Sequence, residues 1–312
     1  MVLQTVDITK SFGEKQVLRG ISLSVGSGKA LGVLGRNGAG KTTLIRIVMQ
    51  VFRADSGQVL IDGAPMKREK LRIGYLPEER GMYPKKTVTE QLLYFGMLAG
   101  LSRGEAKKSA QTLMERLEVT EYAEKKLLTL SKGNQQKIQF VATLIADPDI
   151  VVLDEPFSGL DPVNAMLLKD LVREMISRGK IVFFSSHQMN YIEEFCDDIA
   201  IMSEGKIALG GSLKDIKRRA DRSQIDIRSP KAMALREMLE SAVLPFVASC
   251  SMEDDETLSV RLTDAAEKGR LMQAVSAMNA DVDAFAVHEP SLSDIFVQYT
   301  RDDVTEGKEA VQ

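Results

Sequence analysis

One short loop carries the most specific chemistry in this chain. Residues 35–42 are Gly-Arg-Asn-Gly-Ala-Gly-Lys-Thr, which completes the pattern Gly-x4-Gly-Lys-Ser/Thr. Glycines let such a backbone curl until its N–H groups point into one concavity. The Lys41 side chain can reach the β- and γ-phosphates of a nucleoside triphosphate, and the Thr42 hydroxyl can ligate Mg²⁺. The loop therefore predicts a site for a nucleotide and its metal ion.

The segments on either side of the loop support this prediction. Residues 30–34 form a short apolar run typical of a buried strand, and residues 43–49 have helical character. The loop would then lie at a helix N-terminus, where anions bind well. The candidate phosphate-binding residues are Gly35, Arg36, Asn37, Gly38, Ala39, Gly40, Lys41, Thr42 and Thr43.

Two adjacent acids follow a second apolar run. Asp154 and Glu155 come directly after the end of the run that begins at residue 150. Such a run is typical of a buried parallel strand, whose carboxyl end would direct these side chains towards the nucleotide. An exposed turn is the alternative, and the apolar run makes it the weaker one.

Composition indicates an ordinary globular protein of two domains. The chain has 312 residues, of which 44% are hydrophobic and 27% are charged. No apolar run approaches the roughly 18–20 residues of a membrane helix, and the N-terminus lacks the pattern of a secretory signal. The two cysteines, Cys196 and Cys250, show no metal-ligand spacing and suit a reducing cytoplasm. No aromatic–basic interleaving indicates a nucleic-acid partner.

The charge and the element pattern both change near residue 220. Residues 1–220 carry 32 basic and 26 acidic residues, whereas residues 221–312 carry 9 and 18. Before the change, strands alternate with helices, which indicates an α/β core with a largely parallel sheet. Residues 87–146 form a helical insertion in it. We therefore predict a first domain over residues 1–220.

After the change, the predicted order is βαββαβ, the ferredoxin-like pattern. It gives a second domain over residues 221–303 and a disordered tail over residues 304–312. The acidic stretch at residues 253–256 would be a hairpin turn, with a cation site as the less favoured alternative.

Further motifs follow the loop in a fixed order. They are Leu76-Pro77-Glu78, then Leu-Ser-Lys-Gly-Asn-Gln-Gln at residues 130–136, then Ser-Gly-Leu-Asp-Pro at residues 158–162, and then His187 after a strand. Together with the loop and the paired acids, they resemble the ATP-binding cassette (ABC) ATPases across residues 1–220. Residues 76–84, 130–137 and 289–296 look most like the ATPase subunits of bacterial ABC-2 type exporters, in the sodium-efflux (NatA-like) branch.

The resemblance implies a fold. It is a P-loop NTPase cassette of the α/β class, with a mostly parallel core sheet, an antiparallel β part and a helical subdomain. A small α+β ferredoxin-like domain would follow at the C-terminus.

The resemblance also implies catalytic and metal-binding roles. Glu155 would be the general base for the attacking water, and His187 would hydrogen-bond the γ-phosphate. Lys41 would act beside them in catalysis. Mg²⁺ would be held by Thr42 and Asp154, with Glu78 as a further ligand where the family usually has glutamine.

Other residues match the family's nucleotide-binding positions. Phe12 lies where an aromatic ring stacks on adenine, although a buried core phenylalanine would look the same. Ser131, Gly133 and Asn134 resemble the signature motif, which in the family contacts ATP held by the other subunit; Ser131 is equally a good helix N-cap. Asp161 would bridge the two subunits near the catalytic water.

The implied function is that of an ATP hydrolase that energises an exporter. ATP would draw a second copy of the chain, or a homologous ATPase subunit, into a head-to-tail dimer that drives an integral membrane permease. The protein would be cytoplasmic, peripheral on the inner face of the cell membrane. A soluble ABC ATPase that works without a permease is the alternative, and the C-terminal domain could be a regulatory ligand-binding module.

Overall fold

The computed structural model describes residues 1–79, 81–186, 188–219 and 222–301, the side chain of the last excepted. The chain divides into two compact units. The first runs from Met1 to Leu213 and also takes in the residues from Ile295 onward; the second is Lys214–Asp294. The expected boundary at residue 220 falls beside residues that are not described and stays a prediction. The tail at 304–312 also lies outside the described ranges.

The first unit, the cassette, contains two sheets. Its strands are β1 (Val2–Phe12), β2 (Lys15–Gly26), β3 (Ala30–Gly35), β4 (Ser56–Ile61), β5 (Ala64–Pro65), β6 (Ile73–Leu76), β7 (Ile150–Asp154), β8 (Ile181–Ser185), β9 (Asp198–Ser203) and β10 (Lys206–Ser212). Within the described residues, one sheet has the order β10-β9-β3-β8-β7-β6, and the other has the order β2-β1-β4-β5.

The larger sheet is parallel except at one edge. Strands β9, β3, β8, β7 and β6 pair in parallel, and only β10 runs antiparallel, against β9. All six residues of β3 are buried, as are all five of β8. Continuous apolar runs form these strands because both faces of the sheet are covered. The second sheet is antiparallel throughout its described pairs.

Six α-helices of the described residues lie wholly within the Met1–Leu213 part of this unit. They are α1 (Lys41–Val48), α2 (Val88–Leu98), α3 (Arg103–Arg116), α4 (Lys132–Leu144), α5 (Pro162–Ser177) and α6 (Met189–Phe195). Helices α2, α3 and α4 lie in the predicted helical insertion. Thr87 and Ser102 begin α2 and α3 with capping boxes, in which each side chain and a glutamate three residues later satisfy main-chain N–H groups.

The second unit has the ferredoxin-like arrangement. Its elements are α7 (Leu213–Arg219), β11 (Gln224–Arg228), α8 (Ala232–Ser241), β12 (Val247–Met252), β13 (Thr257–Leu262), α9 (Lys268–Ala277) and β14 (Ala284–Val287), and α10 (Leu292–Arg301) follows. The described strands form an antiparallel sheet of order β12-β13-β11-β14. Its core is built from the inward-facing residues of the strands together with Leu235 and Leu271 of the helices.

The acidic stretch joins β12 to β13 as a turn. Inside it, the Glu256 N–H donates to the Asp254 carboxylate at 2.9 Å, which lowers the pKa of Asp254. Across the described residues, no three acidic, histidine or cysteine side chains are grouped as a metal ion would need. The stretch thus lies where the sequence predicts a hairpin turn. No described helix is long and apolar enough to cross a bilayer.

Candidate functional site

The phosphate loop joins a buried strand to a helix, as the sequence predicts. Strand β3 ends at Gly35, and helix α1 begins at Lys41 with Gly40 as an N-cap that offers no side-chain hydrogen bond. The N–H groups of a helix's first turn have no partner within the helix, and they attract anions. The Lys41 ammonium lies over the loop and donates to the main-chain oxygens of Gly35 at 2.5 Å and Arg36 at 3.2 Å.

Close packing explains why the loop begins with glycine. Gly35 has φ 152°, and a Cβ there would lie 2.5 Å from the main-chain oxygen of Met202 on β9. Any other residue would have to push the loop away from the sheet. Gly38 also has a positive φ, 85°, but a Cβ at that position meets no atom within 4 Å.

The remaining loop residues divide by exposure. Ala39 is buried against the core, and Thr43 is half-buried in the first turn of α1. Exposed side chains are those of Arg36, Asn37 and Thr42. The loop thus offers a polar surface over an apolar base.

The predicted acids lie around Lys41. Burial lowers the pKa of the Lys41 ammonium, while the negative charges of Asp154, Glu155 and Glu78 oppose that shift. These acids come from the ends of β7 and β6, and the lysine comes from the start of α1. The structure therefore brings the phosphate loop together with Asp154, Glu155 and Glu78, three of the four acids predicted at the site.

Glu155 has an unusual backbone. It has φ 48°, in the left-handed region, and only 8% of the residue is exposed. Its N–H donates to the Ser185 oxygen at 2.9 Å, and its own carbonyl accepts from the Ser158 N–H at 3.2 Å. Non-glycine residues in this region are strained, and they persist where the surroundings fix them, often at functional sites.

A serine that the sequence interpretation missed contacts this acid. The Ser186 hydroxyl donates to Glu155 Oε2 at 2.9 Å. The position of Ser186 at the end of a buried strand, like that of Glu155, was the available signal. His187, the next residue and a predicted catalytic one, lies outside the described residues.

Glu78 is exposed just beyond β6, and α4 holds the segment before it. The Gln139 side chain donates to the Pro77 oxygen at 3.3 Å, and Gln136 donates to the Pro156 oxygen at 3.0 Å. One face of α4 thus binds the main chain beside Glu78 and beside Glu155. Nothing in the motif match indicated these two bonds.

Phe12 lies at the end of β1 with 47% of its surface exposed, so it is not a core residue. Its ring meets Phe52 edge to face at 5.6 Å, and Lys10 lies 5.6 Å from the Phe12 ring centre. Asp55 holds this strand end by accepting from the Lys10 ammonium at 2.7 Å and from the Ser11 N–H at 2.6 Å. Phe52 is a second aromatic residue that the motif match did not include.

The signature residues lie at the start of α4 rather than at the phosphate loop. Ser131 caps this helix by accepting from the Asn134 N–H at 3.3 Å. A side chain at Gly133 would contact Asn164 of α5. Asp161 caps α5 by accepting from the Asn164 N–H at 3.0 Å, a bond that lowers its pKa.

The signature residues and Asp161 thus lie close together, at the starts of α4 and α5. Among the described residues, no hydrogen bond joins Ser131, Gly133 or Asn134 to the loop.

The oxygens around Lys41 fit a magnesium ion. Mg²⁺ is bound in proteins by one or two carboxylates together with substrate phosphates and waters. Asp154 and Glu78 supply carboxylates near the loop, and Thr42 supplies a hydroxyl at the start of α1. The donor set is therefore of the right chemical kind.

Three features together define a P-loop cassette for a nucleoside triphosphate. They are a phosphate loop at the start of a helix, paired acids at the end of another parallel strand of the same sheet, and an inserted helical subdomain. Comparison with known proteins makes the class specific. Residues 18–158 match the ABC transporter family model, and residues 211–300 match the model of the ATP-binding protein DrrA1-3-like C-terminal domain.

The chain belongs to the ABC transporter ATP-binding proteins. It is 39% identical over 300 residues to the ABC transporter ATP-binding protein YhaQ of Bacillus subtilis, covering 94% of this chain and 97% of that protein. It is 30% identical over 305 residues to the daunorubicin resistance ATP-binding protein DrrA3 of Streptomyces coeruleorubidus, covering 96% of each. The narrower sodium-efflux branch stays a prediction.

Solved structures agree with the fold. A structure of the ATP binding subunit of an ABC transporter superposes with a TM-score of 0.64 at 27% identity, over 70% of this chain and 93% of that one. The ADP conformation of MJ1267, an ATP-binding cassette of an ABC transporter, gives 0.60 at 25% identity, over 69% and 92%. The predicted P-loop cassette fold is thereby confirmed.

The packing of Gly35 leads to a stability prediction. Gly35→Ala should lower the free energy of unfolding of the cassette by about 2–4 kcal/mol, because strain and overlap with the Met202 carbonyl add together. Gly38→Ala is the matched control, with strain but no overlap, and should cost about 1 kcal/mol. Denaturant unfolding without nucleotide measures both. Equal losses in the two variants would contradict the close approach to β9.

Proposed function

We propose that the chain binds ATP with Mg²⁺, hydrolyses it, and uses ATP-driven pairing of two copies to energise export through a separate membrane permease. One observation carries the proposal: the phosphate loop follows β3, and Asp154, Glu155 and Glu78 follow or end β7 and β6 of the same parallel sheet, so that their charges act on Lys41. Phosphoryl transfer depends on positioning and on the stabilisation of charge, and these residues supply groups for both.

Several groups would hold the nucleotide. The main-chain N–H groups of the loop and the uncapped start of α1 would bind the phosphates, and Lys41 would exchange its bonds to Gly35 and Arg36 for bonds to phosphate oxygens. The exposed face of Phe12, supported from the side by Phe52, would stack on the adenine ring.

Thr42 and Asp154 would hold Mg²⁺, with Glu78 as a further ligand. The bound ion would supply charge neutralisation on the phosphates. Glu155 would accept a hydrogen bond from the attacking water and take its proton as general base. His187 would donate a hydrogen bond to the γ-phosphate, and a neutral or charged imidazole can donate such a bond.

The signature residues would complete the site of a second copy. Ser131, Gly133 and Asn134 lie with Asp161 rather than with the loop of their own chain. In a head-to-tail pair, the Ser131 hydroxyl and the start of α4 would face the phosphates that the partner's loop holds. The partner could be an identical chain or a homologous ATPase subunit.

Substitution of Glu155 tests the chemistry. Glu155→Gln keeps the shape of the side chain and removes the base, so it should bind ATP normally and accumulate as an ATP-bound dimer. Its kcat should fall by a factor of about 10² or more. The measurements are phosphate release and size-exclusion chromatography with ATP.

Glu204→Gln is the matched control, because Glu204 is also a glutamate with a positive φ, 46°. Glu204→Gln should retain full turnover. Normal turnover in Glu155→Gln would remove Glu155 from the mechanism.

A cleft in the cassette is our candidate for the permease contact. It has a volume of about 1110 Å³, and its walls include Tyr75, Phe95 and Leu98 together with Gln139 of α4. Beside it, Tyr83 is 52% exposed and Leu98 is 71% exposed. The walls are mixed, with charged residues such as Arg72 and Asp149 beside the apolar ones, and exposed apolar residues grouped at such a cleft mark protein–protein contacts.

The cleft also has a direct structural link to the nucleotide site. Gln139 lines the cleft and donates to the Pro77 oxygen, one residue before Glu78. Buried Gln91 of α2 accepts from the Tyr83 N–H at 2.8 Å. This bond fixes the main chain that carries the exposed Tyr83 ring to α2. A permease segment seated in the cleft would therefore move with the main chain beside Glu78.

A membrane permease as partner also determines where the protein would lie and what it would help to transport. The protein would be cytoplasmic and peripheral on the inner face of the cell membrane. Relatives named for daunorubicin resistance and for Nod factor export favour export as the direction of transport. The cargo would be selected by the permease.

A charge placed in the cleft tests the permease contact. In cells that express the chain together with its permease, Leu98→Glu should reduce the fraction that copurifies with membranes by about tenfold, because a buried charge opposes docking. ATP hydrolysis by the purified chain should not change. Val243→Glu, at an exposed apolar position of the second unit, is the control. Unaltered membrane binding of Leu98→Glu would favour the soluble ATPase alternative.

A further inference from the structure

Ser186 and Glu155 come together because of strand pairing. Strands β7 and β8 are parallel neighbours, and Asp154 pairs with Ser185 at their carboxyl ends. The residues that follow this pair, Glu155 and Ser186, are therefore also adjacent to each other. Both are nearly inaccessible, with Ser186 at 7% exposure and Glu155 at 8%. Two polar side chains with so little access to water need partners within the protein.

The direction of the Ser186 hydrogen bond follows from its second bond. Ser186 Oγ accepts from the Gln188 N–H at 3.1 Å, which occupies a lone pair of the hydroxyl. An ionised carboxylate can only accept. The one hydroxyl proton of Ser186 is therefore directed at Glu155 Oε2, 2.9 Å away.

This bond acts on a side chain whose main chain is already fixed. The Ser185 oxygen and the Ser158 N–H hold the Glu155 peptide groups at its positive φ. These bonds set where the side chain leaves the backbone and do not act on the carboxylate. The Ser186 bond joins the carboxylate itself to β8. It therefore restricts the rotation that would turn the carboxylate away from its working orientation.

We propose that Ser186 is a positioning residue for hydrolysis, whose hydroxyl holds the carboxylate of Glu155 in the orientation that takes the proton of the attacking water. The inference rests on the proposed role of Glu155 as general base. It assigns Ser186 no contact with ATP, so Ser186 should influence the chemical step and not nucleotide binding.

The charged groups around this pair would remain in place without the hydroxyl. Lys41 comes from α1, Asp154 from β7 and Glu78 from the segment after β6. Because their charges do not depend on Ser186, loss of the hydroxyl should leave the binding of the phosphates intact.

The experiment measures Ser186→Ala in the full chain by ATP hydrolysis and by nucleotide binding. Loss of a hydrogen bond to a charged group changes a rate or equilibrium constant by about tenfold or more. We expect kcat to fall by about tenfold, with KM and the Kd for ATP unchanged. Ser229→Ala, at a fully buried serine of the second unit, is the control for removal of a buried hydroxyl, and it should keep kcat.

A double-mutant cycle shows whether Ser186 acts through Glu155. In the Glu155→Gln background, Ser186→Ala should cause no further fall in the residual rate, because there is no carboxylate to orient. If Ser186→Ala does not fold, Ser186→Cys replaces it. The cysteine is nearly isosteric and a weaker donor, so its kcat should lie between those of serine and alanine.

Three results would overturn the inference: an unchanged kcat in Ser186→Ala, a loss that appears equally in the Kd for ATP, or the same fold-loss in both backgrounds. Failure of the general-base assignment is a separate result, because Glu155→Gln alone would then keep turning over ATP.

Discussion

The parallel register of β3, β8 and β7 determines where the phosphate loop, the paired acids and Ser186 lie. Gly32 pairs with Phe184, and Asp154 pairs with Ser185, so the carboxyl ends of these strands meet at one edge of the sheet. The phosphate loop, the paired acids and Ser186 each begin where a strand ends. A shift of one residue in any pairing would move Glu155 away from Ser186 and turn side chains to the other face. Burial on both faces of these apolar strands opposes such a shift.

Helix α4 connects the segments that carry the acids to other parts of the cassette. Its amides at Gln136 and Gln139 bind main-chain oxygens beside Glu155 and Glu78, while its N-terminus presents Ser131. Each such bond contributes only about 1 kcal/mol net, but a buried acceptor left without its donor costs more. The helix is thus joined to both acidic segments. Ser131 begins this helix, Gln139 lines the cleft, and Gln136 binds the main chain next to Glu155.

Local sequence patterns were enough to predict much of this molecule. Glycine spacing, apolar runs and their terminal acids identified the loop, strand β7 and the acids, and alternating elements identified the ferredoxin-like order. The bond between Ser186 and Glu155 spans 31 residues of sequence, and the ring contact of Phe12 with Phe52 joins different elements. Such contacts exist only after the sheet has formed, so no local pattern encodes them. The positive φ of Glu155 is likewise imposed by tertiary hydrogen bonds, since glutamate has no intrinsic preference for it.

The central claim is that each chain holds half of an ATP site at Lys41 and the complementary half at Ser131. The most direct test mixes two inactive chains, Lys41→Ala and Ser131→Arg, in equal amounts. A mixed dimer would contain one site that carries both defects and one site with neither. The account predicts that ATP hydrolysis, absent from either variant alone, returns in the mixture to roughly a quarter of the wild-type rate. A mixture as inactive as its components, or full activity of Ser131→Arg alone, would contradict it.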